Sequence, residues 1–194
     1  MKIYLAHLKD FSIHDLEESP YLSKDRLDKA NRYYHLSDKK RSLLGGYLIA
    51  RFTKPGEITF NEHNKPLKDN DHFNLSHDND YVVLIEDEHL EVGIDIQHIE
   101  KFIKDDLDKF VFAKKLSPKE FYSKWTRMEA LSKCLGSGLA ENFKHLPHEE
   151  GLNHYMNKDI YVETLYLKGK YVLSYAYESN LRLEVEIIKV LPED

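Results

Sequence analysis

Apolar and polar positions follow two different periods along this chain, and the switches between them mark its elements. Ile3-Tyr4-Leu5-Ala6 reads as a first strand, cut off by His7, Lys9 and Asp10. From Ser23 to Phe52 the pattern is helical, with Ser37 as an N-cap and Leu43, Leu44, Tyr47 and Leu48 recurring behind it. Lys54-Pro55-Gly56 ends that helix. Strand-like segments follow at Ile58–Phe60, Phe73–Ser76, Tyr81–Ile85 and Val92–Gln97.

The second half begins with a charged helical stretch from Ile103 to Lys115. Ser117-Pro118-Lys119-Glu120 then opens a strong helix, with a capping box and proline at the first helical position. It should run to about Leu135 and stop at Gly136 or Gly138. Tyr161–Leu167, Tyr171–Tyr177 and Leu181–Val190 predict three strands joined at Lys168-Gly169 and Ser179-Asn180 as an antiparallel meander. Each half therefore reads as helices on a small antiparallel sheet, an α+β arrangement of two halves, 1–99 and 100–194.

Composition narrows the class. A 194-residue chain with 41% hydrophobic and 32% charged residues falls in the globular range and can bury one core or two small adjoining ones. No apolar run reaches the roughly 18 residues needed to span a bilayer, and the interrupted first strand does not resemble a secretory signal. The single cysteine, Cys134, excludes an internal disulfide and suits a cytoplasmic protein. Four residues before Gly138, it reads as a small packed side chain rather than a nucleophile.

Charge is unevenly spread. Between Lys24 and Arg51, eight Lys and Arg face three Asp, a local +5 on a chain of formal charge −6, which leaves −11 elsewhere. Such a segment suits a compact polyanion better than nucleic acid, for which an aromatic-basic stacking motif is also missing. A solvated helix face accounts for the same residues.

Two spacings could carry chemistry. On the strand Val92–Gln97, Gly93, Asp95 and Gln97 share one face, so Asp95 and Gln97 could offer oxygens to one hard cation while Gly93 admits a close neighbour. On the later helix, Trp125, Glu129 and Lys133 lie along one side, beside an apolar stripe of Phe121, Met128 and Leu135. An ordinary strand with one wet face and an i, i+4 ion pair explain these patterns equally well. Magnesium needs few protein carboxylates, because it keeps waters and takes phosphate oxygens, so two acids and a lysine are enough for phosphoryl-type transfer.

At these residues the chain resembles the 4′-phosphopantetheinyl transferases. Gly93-Ile94-Asp95-Ile96-Gln97, then Trp125-Thr126-Arg127-Met128-Glu129-Ala130 and Lys133, is similar to that family's paired signature. Asn64-Lys65-Pro66 and Phe73-Asn74-Leu75-Ser76-His77 resemble two upstream motifs. Arg32-Tyr33-Tyr34-His35 with Arg41-Ser42-Leu43-Leu44-Gly45 is similar to the surfactin-synthetase-activating branch. The matches stand in family order from Arg26 to Gly138.

The resemblance implies two pseudo-symmetric halves in a monomer, and transfer of phosphopantetheine from coenzyme A to a serine of an acyl or peptidyl carrier protein. It implies Mg²⁺ on Asp95, Glu129 and Gln97, with Glu129 as base and Lys133 stabilising phosphate and leaving group. Lys65, Ser76 and His77 would hold coenzyme A phosphates, and Arg41 and Ser42 its 3′-phosphate nucleotide end. Lys114, Lys115, Lys119 and Lys124 could dock an acidic carrier. Three positions depart from the family pattern: Gln97 for glutamate, Met128 for lysine, and Asn64 for glycine in a turn whose positive φ asparagine tolerates. The first two keep open a weakly active homologue that only binds carrier or coenzyme A. A phosphodiesterase cleaving the same linkage with water is a further alternative.

Overall fold

The computed structural model describes residues 1–69, 71–100, 116–138, 146–168 and 170–192. The helical stretch expected from Ile103 to Lys115, with Lys114 and Lys115, lies outside them, as does Gly169 of the expected turn.

The chain is a mixed α+β protein built around two four-stranded sheets. The first takes β1 (Lys2–His7), β4 (His72–Asp78), β5 (Tyr81–Asp87) and β10 (Glu186–Val190) in the order β10-β1-β5-β4. The second takes β6 (Val92–His98), β7 (Gly151–Tyr155), β8 (Lys158–Leu167) and β9 (Tyr171–Glu178) in the order β6-β9-β8-β7. A small hairpin pairs β2 (Thr59–Phe60) with β3 (Pro66–Leu67). Its turn includes Asn64 at φ 62°, the left-handed conformation asparagine was expected to accept there.

Side-chain period sets the layers. On β5, Val82 and Leu84 pack with Leu43, Leu44 and Leu48 under the helices α1 (Ile13–Glu17), α2 (Lys24–Ala30) and α3 (Leu36–Phe52). Val83 and Ile85 turn the other way and meet Val92, Ile94, Ile96 and Leu173 of the second sheet. That is why Tyr81–Ile85 reads as a continuous apolar run: both faces of the strand are covered. The outer face of the second sheet carries α4 (Pro118–Leu135), whose Met128, Leu131 and Cys134 pack on Ile160, Val162 and Ala176. The layers thus run helix, sheet, sheet, helix.

Helix α4 follows its sequence signals closely. Ser117 and Glu120 close a reciprocal capping box, Pro118 opens the helix, and Gly136 ends it at φ 66°. A Cβ at residue 136 would stand 2.9 Å from Asn61 Nδ2 and 3.0 Å from Lys65 Cδ. Gly136→Ala is therefore expected to cost about 1–2 kcal/mol, from the left-handed backbone alone. A thermal melt should show a Tm lower by roughly 2–8 °C for a chain of this size.

Three expectations need correction. The stretch from Ser23 to Phe52 is two helices, because Asn31–His35 buries none of its side chains and Tyr34 is 94% exposed. Ser23 caps α2 by accepting from Arg26 N, whereas α3 starts ahead of Ser37, with His35 as its uncapped N-cap residue. The segment Leu181–Val190 is not the third strand of an antiparallel meander. Leu183 and Val185 satisfy their apolar character by packing on the inter-sheet core, and only Glu186–Val190 forms a strand, parallel to β1 in the first sheet. The first sheet is consequently mixed. Strand pairing also crosses the 99/100 division twice, since β6 joins the second sheet and β10 the first.

Candidate active site

The two sheets meet edge to edge at β4 and β6, and side chains rather than a backbone ladder join them. Alternate residues of β4 face the seam. Asn74 Oδ1 accepts from Ile94 N (3.2 Å), Ser76 Oγ donates to Asp95 Oδ1 (2.8 Å), and Asp78 Oδ2 accepts from His98 N (2.5 Å). Asn74 and Asp78 thereby satisfy backbone N–H groups on the β6 edge that no strand pairs, while Ser76 joins a carboxylate side chain.

The face of β6 that alternation makes polar lies beneath α4, not in water. Gly93 is what permits it: a Cβ there would fall 2.1 Å from Ala130 O and 2.3 Å from Cys134 N, so the helix backbone rests on the glycine. One pleat further on, Asp95 is 2% exposed, directly below Lys133. Lys133 Nζ donates to Asp95 Oδ1 (2.6 Å), to Ile94 O (3.2 Å) and to Ser76 Oγ (3.3 Å). Gln97 Nε2 donates to Asp95 Oδ2 at 3.3 Å, and turning that amide over would present its oxygen instead. Asp95, Lys133, Ser76 and Gln97 therefore converge.

One turn back on α4, Glu129 is half-buried and makes no hydrogen bond to another described residue. Burial holds its carboxyl above the ordinary glutamate range; the Lys133 charge opposes this and the Asp95 charge adds to it. Glu129, Lys133, Ser132 and Asn74 line one cavity of about 290 Å³ with Lys65 and His63 of the small hairpin.

A carboxyl with a raised native pKa binds its proton more tightly in the folded state than in the unfolded chain. Stability should therefore fall as pH climbs from the ordinary glutamate value through the raised one, and stay at the lower level above it. In EDTA, Glu129→Gln is expected to melt higher than the parent at about pH 8 and to lose that advantage near about pH 4. Melting curves across that range test the sign.

The outer expected residues are placed less uniformly. His77 is exposed at the end of β4, yet crowding by neighbouring protein and the charges of Arg41 and Lys133 hold its imidazole below the usual pKa. Arg41 reaches the turn after β4, donating to Asn79 O (2.8 Å) and pairing with Asp38. Among the described residues Ser42 is met through its carbonyl, which accepts from Arg26 Nε (3.1 Å). Lys65 lines the cavity, but its ammonium pairs with Glu91 and donates to Cys134 O (2.7 Å), which ties the hairpin to the end of α4. Met128, which stands where the family has lysine, is 2% exposed in the core beneath α4. Cys134 is buried too, and burial pushes its thiol up to about 12.

Sequence reasoning gave Asn74 no role, although its period-two relation to Ser76 and Asp78 on β4 was available as a signal. Glu91, which holds both Lys65 and His72 (His72 Nδ1 at 3.1 Å), carried no local signature at all.

The donor set suits one kind of ion. Among the described residues no three His, Cys, Asp or Glu side chains surround a common metal position. Asp95 and Glu129 give two carboxylates, which fits Mg²⁺ completing its shell with water and phosphate oxygens, and does not fit a fully protein-ligated zinc.

No protein-family model matches the chain, and no curated protein is matched either. Among the described residues no helix is long and apolar enough to cross a membrane.

Proposed function

We propose that this protein is a 4′-phosphopantetheinyl transferase of the two-halved kind, moving the phosphopantetheine arm of coenzyme A to a serine of an acyl or peptidyl carrier protein. The observation that carries the reading is the convergence of Asp95 and Lys133 at 2.6 Å, with Glu129 one turn before Lys133 and lining a cavity together with it. These residues come from motifs that are over thirty positions apart in the chain. The helix, sheet, sheet, helix layering agrees with two related halves sharing a seam.

Asp95 and Glu129, with Gln97 beside them, would hold Mg²⁺, which when bound neutralises pyrophosphate charge and polarises the phosphorus under attack. Lys133, beside Asp95, would take up charge on the phosphate being transferred and on the leaving oxygen. Arg41 gives a cationic flank suited to the 3′-phosphate, and His77 beside it, held below its usual pKa, would add a neutral imidazole N–H donor. Glu129, with no hydrogen-bond partner among the described residues and raised in pKa, suits proton acceptance from the carrier hydroxyl. The serine oxygen forms its bond to the β-phosphorus, that phosphorus releases the oxygen of adenosine 3′,5′-bisphosphate, and the serine proton passes to Glu129. Lys65, engaged by Glu91 and Cys134, acts as a positioning residue for the hairpin wall of the cavity.

Mass spectrometry of several apo carriers after incubation with this protein, coenzyme A and Mg²⁺ tests the reading. Addition of one phosphopantetheine to the serine, abolished by EDTA, is expected. Unmodified carriers with coenzyme A cleaved would favour hydrolysis by water; unmodified carriers with coenzyme A intact would leave only binding.

A further inference from the structure

A second cavity, of about 340 Å³, lies between the start of α2, the middle of α3 and the loop at 54–58, and has no part in the chemistry above. Leu22, Ile49 and Ile58 give it apolar walls, and its charged lining residues are all cations: Arg26, Lys54 and Lys68. On a chain of formal charge −6, a pocket with three positive side chains and, among the described residues, no lining carboxylate is unexpected from composition, although Lys54 pairs with Glu88 outside the lining at 3.2 Å.

Arg26 is the strongest element of this pocket. It is half-buried between α2 and α3, and burial lowers its pKa. Its Nε donates to Ser42 O, and no carboxylate pairs with it among the described residues. The helix makes room for it, because a Cβ at Gly46 would stand 2.5 Å from Arg26 Nε and 2.8 Å from its Cγ. Lys68 donates to neutral acceptors, Thr53 Oγ1 (2.7 Å) and Lys54 O (2.6 Å), with the Asp71 charge nearby. Removing a guanidinium from water without a counter-charge is costly, and an anion entering the adjacent cavity would offset that cost.

We propose that this cavity binds a small apolar carboxylate, with Arg26 pairing the head group and Leu22, Ile49 and Ile58 enclosing the tail. The fork of guanidinium donors matches a carboxylate in a plane, and the walls reward an apolar body rather than a free inorganic anion. The site is independent of the transferase reading, and either can stand without the other.

Titration of the whole protein with octanoate, followed by calorimetry and by NMR of the ligand, tests the assignment. Saturable octanoate binding is expected, with octanol and inorganic phosphate each at least about tenfold weaker. Arg26→Met should lose at least about tenfold in octanoate affinity. Because it removes an unpaired charge, it should also melt no lower than the parent. Ala50→Phe, at the cavity lining, should block octanoate while leaving Arg26 in place, and it decides the matter if Arg26→Met does not fold. Absent octanoate binding, phosphate binding as tight as octanoate, or undiminished binding in the folded Arg26→Met or Ala50→Phe protein would each overturn the proposal.

Discussion

Glu129→Gln is expected to slow phosphopantetheinyl transfer by roughly three orders of magnitude or more. A positioned general base contributes about 10²–10⁴-fold, and the same substitution removes one of two carboxylates available to a cation at this seam. The amide keeps the shape of the side chain, so the loss does not pass through misfolding. The metal-free stability comparison guards this point, because the variant should be the more stable protein above the glutamate range. Opposite signs for activity and stability in one variant are the signature of a carboxylate kept partly buried for its chemistry. Carrier modification followed by mass spectrometry over a time course gives the rate. A rate within a few-fold of the parent contradicts the assignment of Glu129.

The second large effect is structural and falls on Gly93. Its missing side chain lets the backbone of α4 rest on β6, at the level that brings Lys133 over Asp95. Gly93→Val inserts atoms where Ala130 O and Cys134 N already stand, and neither can rotate away, as a flexible side chain could. Overpacking in cores costs about 1–3 kcal/mol when side chains can adjust. Against backbone we expect at least the top of that range, about 3 kcal/mol. Thermal unfolding should show a Tm lower by roughly 6–12 °C or more. Whatever fraction folds should also lose transfer activity, because lifting α4 separates Lys133 and Glu129 from Asp95. A melt and rate near those of the parent would mean that the helix does not depend on this contact.

Local signals were legible wherever one residue type had one physical reason to be in place. Ser117, Pro118, Glu120 and Gly136 delimit α4 because caps are satisfied within a few residues of sequence. The alternation of Val92, Ile94 and Ile96 against Gly93, Asp95 and Gln97 correctly separates the two faces of β6. What the period could not say is what covers the polar face. Water and a helix give the same pattern, and only the Gly93 contact distinguishes them. Long-range pairing was the other limit. The residues Leu181–Val190 alternate like one strand, but alternation records burial on a face and is silent about which edge supplies the hydrogen bonds. β7 escaped notice for a related reason. Its Asn153 and His154 weaken the apolar pattern, and its turn relies on Met156 and Asn157 at φ 50° and 61° rather than on glycine.

The basic segment was ambiguous for a different reason, since charge counts do not reveal partners. Lys39 pairs with Glu17 at 2.6 Å, Arg51 lies over the rings of Tyr47 and Phe52, and Arg26 turns inward. Only part of the local +5 is therefore presented outward, and Arg41 is the member directed toward His77. Lys65 shows the same limit at a single residue. Its motif suggests a phosphate contact, whereas its burial beside Glu91 makes it a tie between hairpin and helix.

The central claim is that the acids of β6 and α4 hold one divalent ion together with the pyrophosphate of coenzyme A. Electron paramagnetic resonance of Mn²⁺ titrated into the protein, with and without coenzyme A, reads this directly. The account expects one bound Mn²⁺ whose affinity rises in the presence of coenzyme A, and which is lost in both Asp95→Asn and Glu129→Gln. Mn²⁺ binding that is indifferent to coenzyme A, or that survives either substitution unchanged, would contradict it.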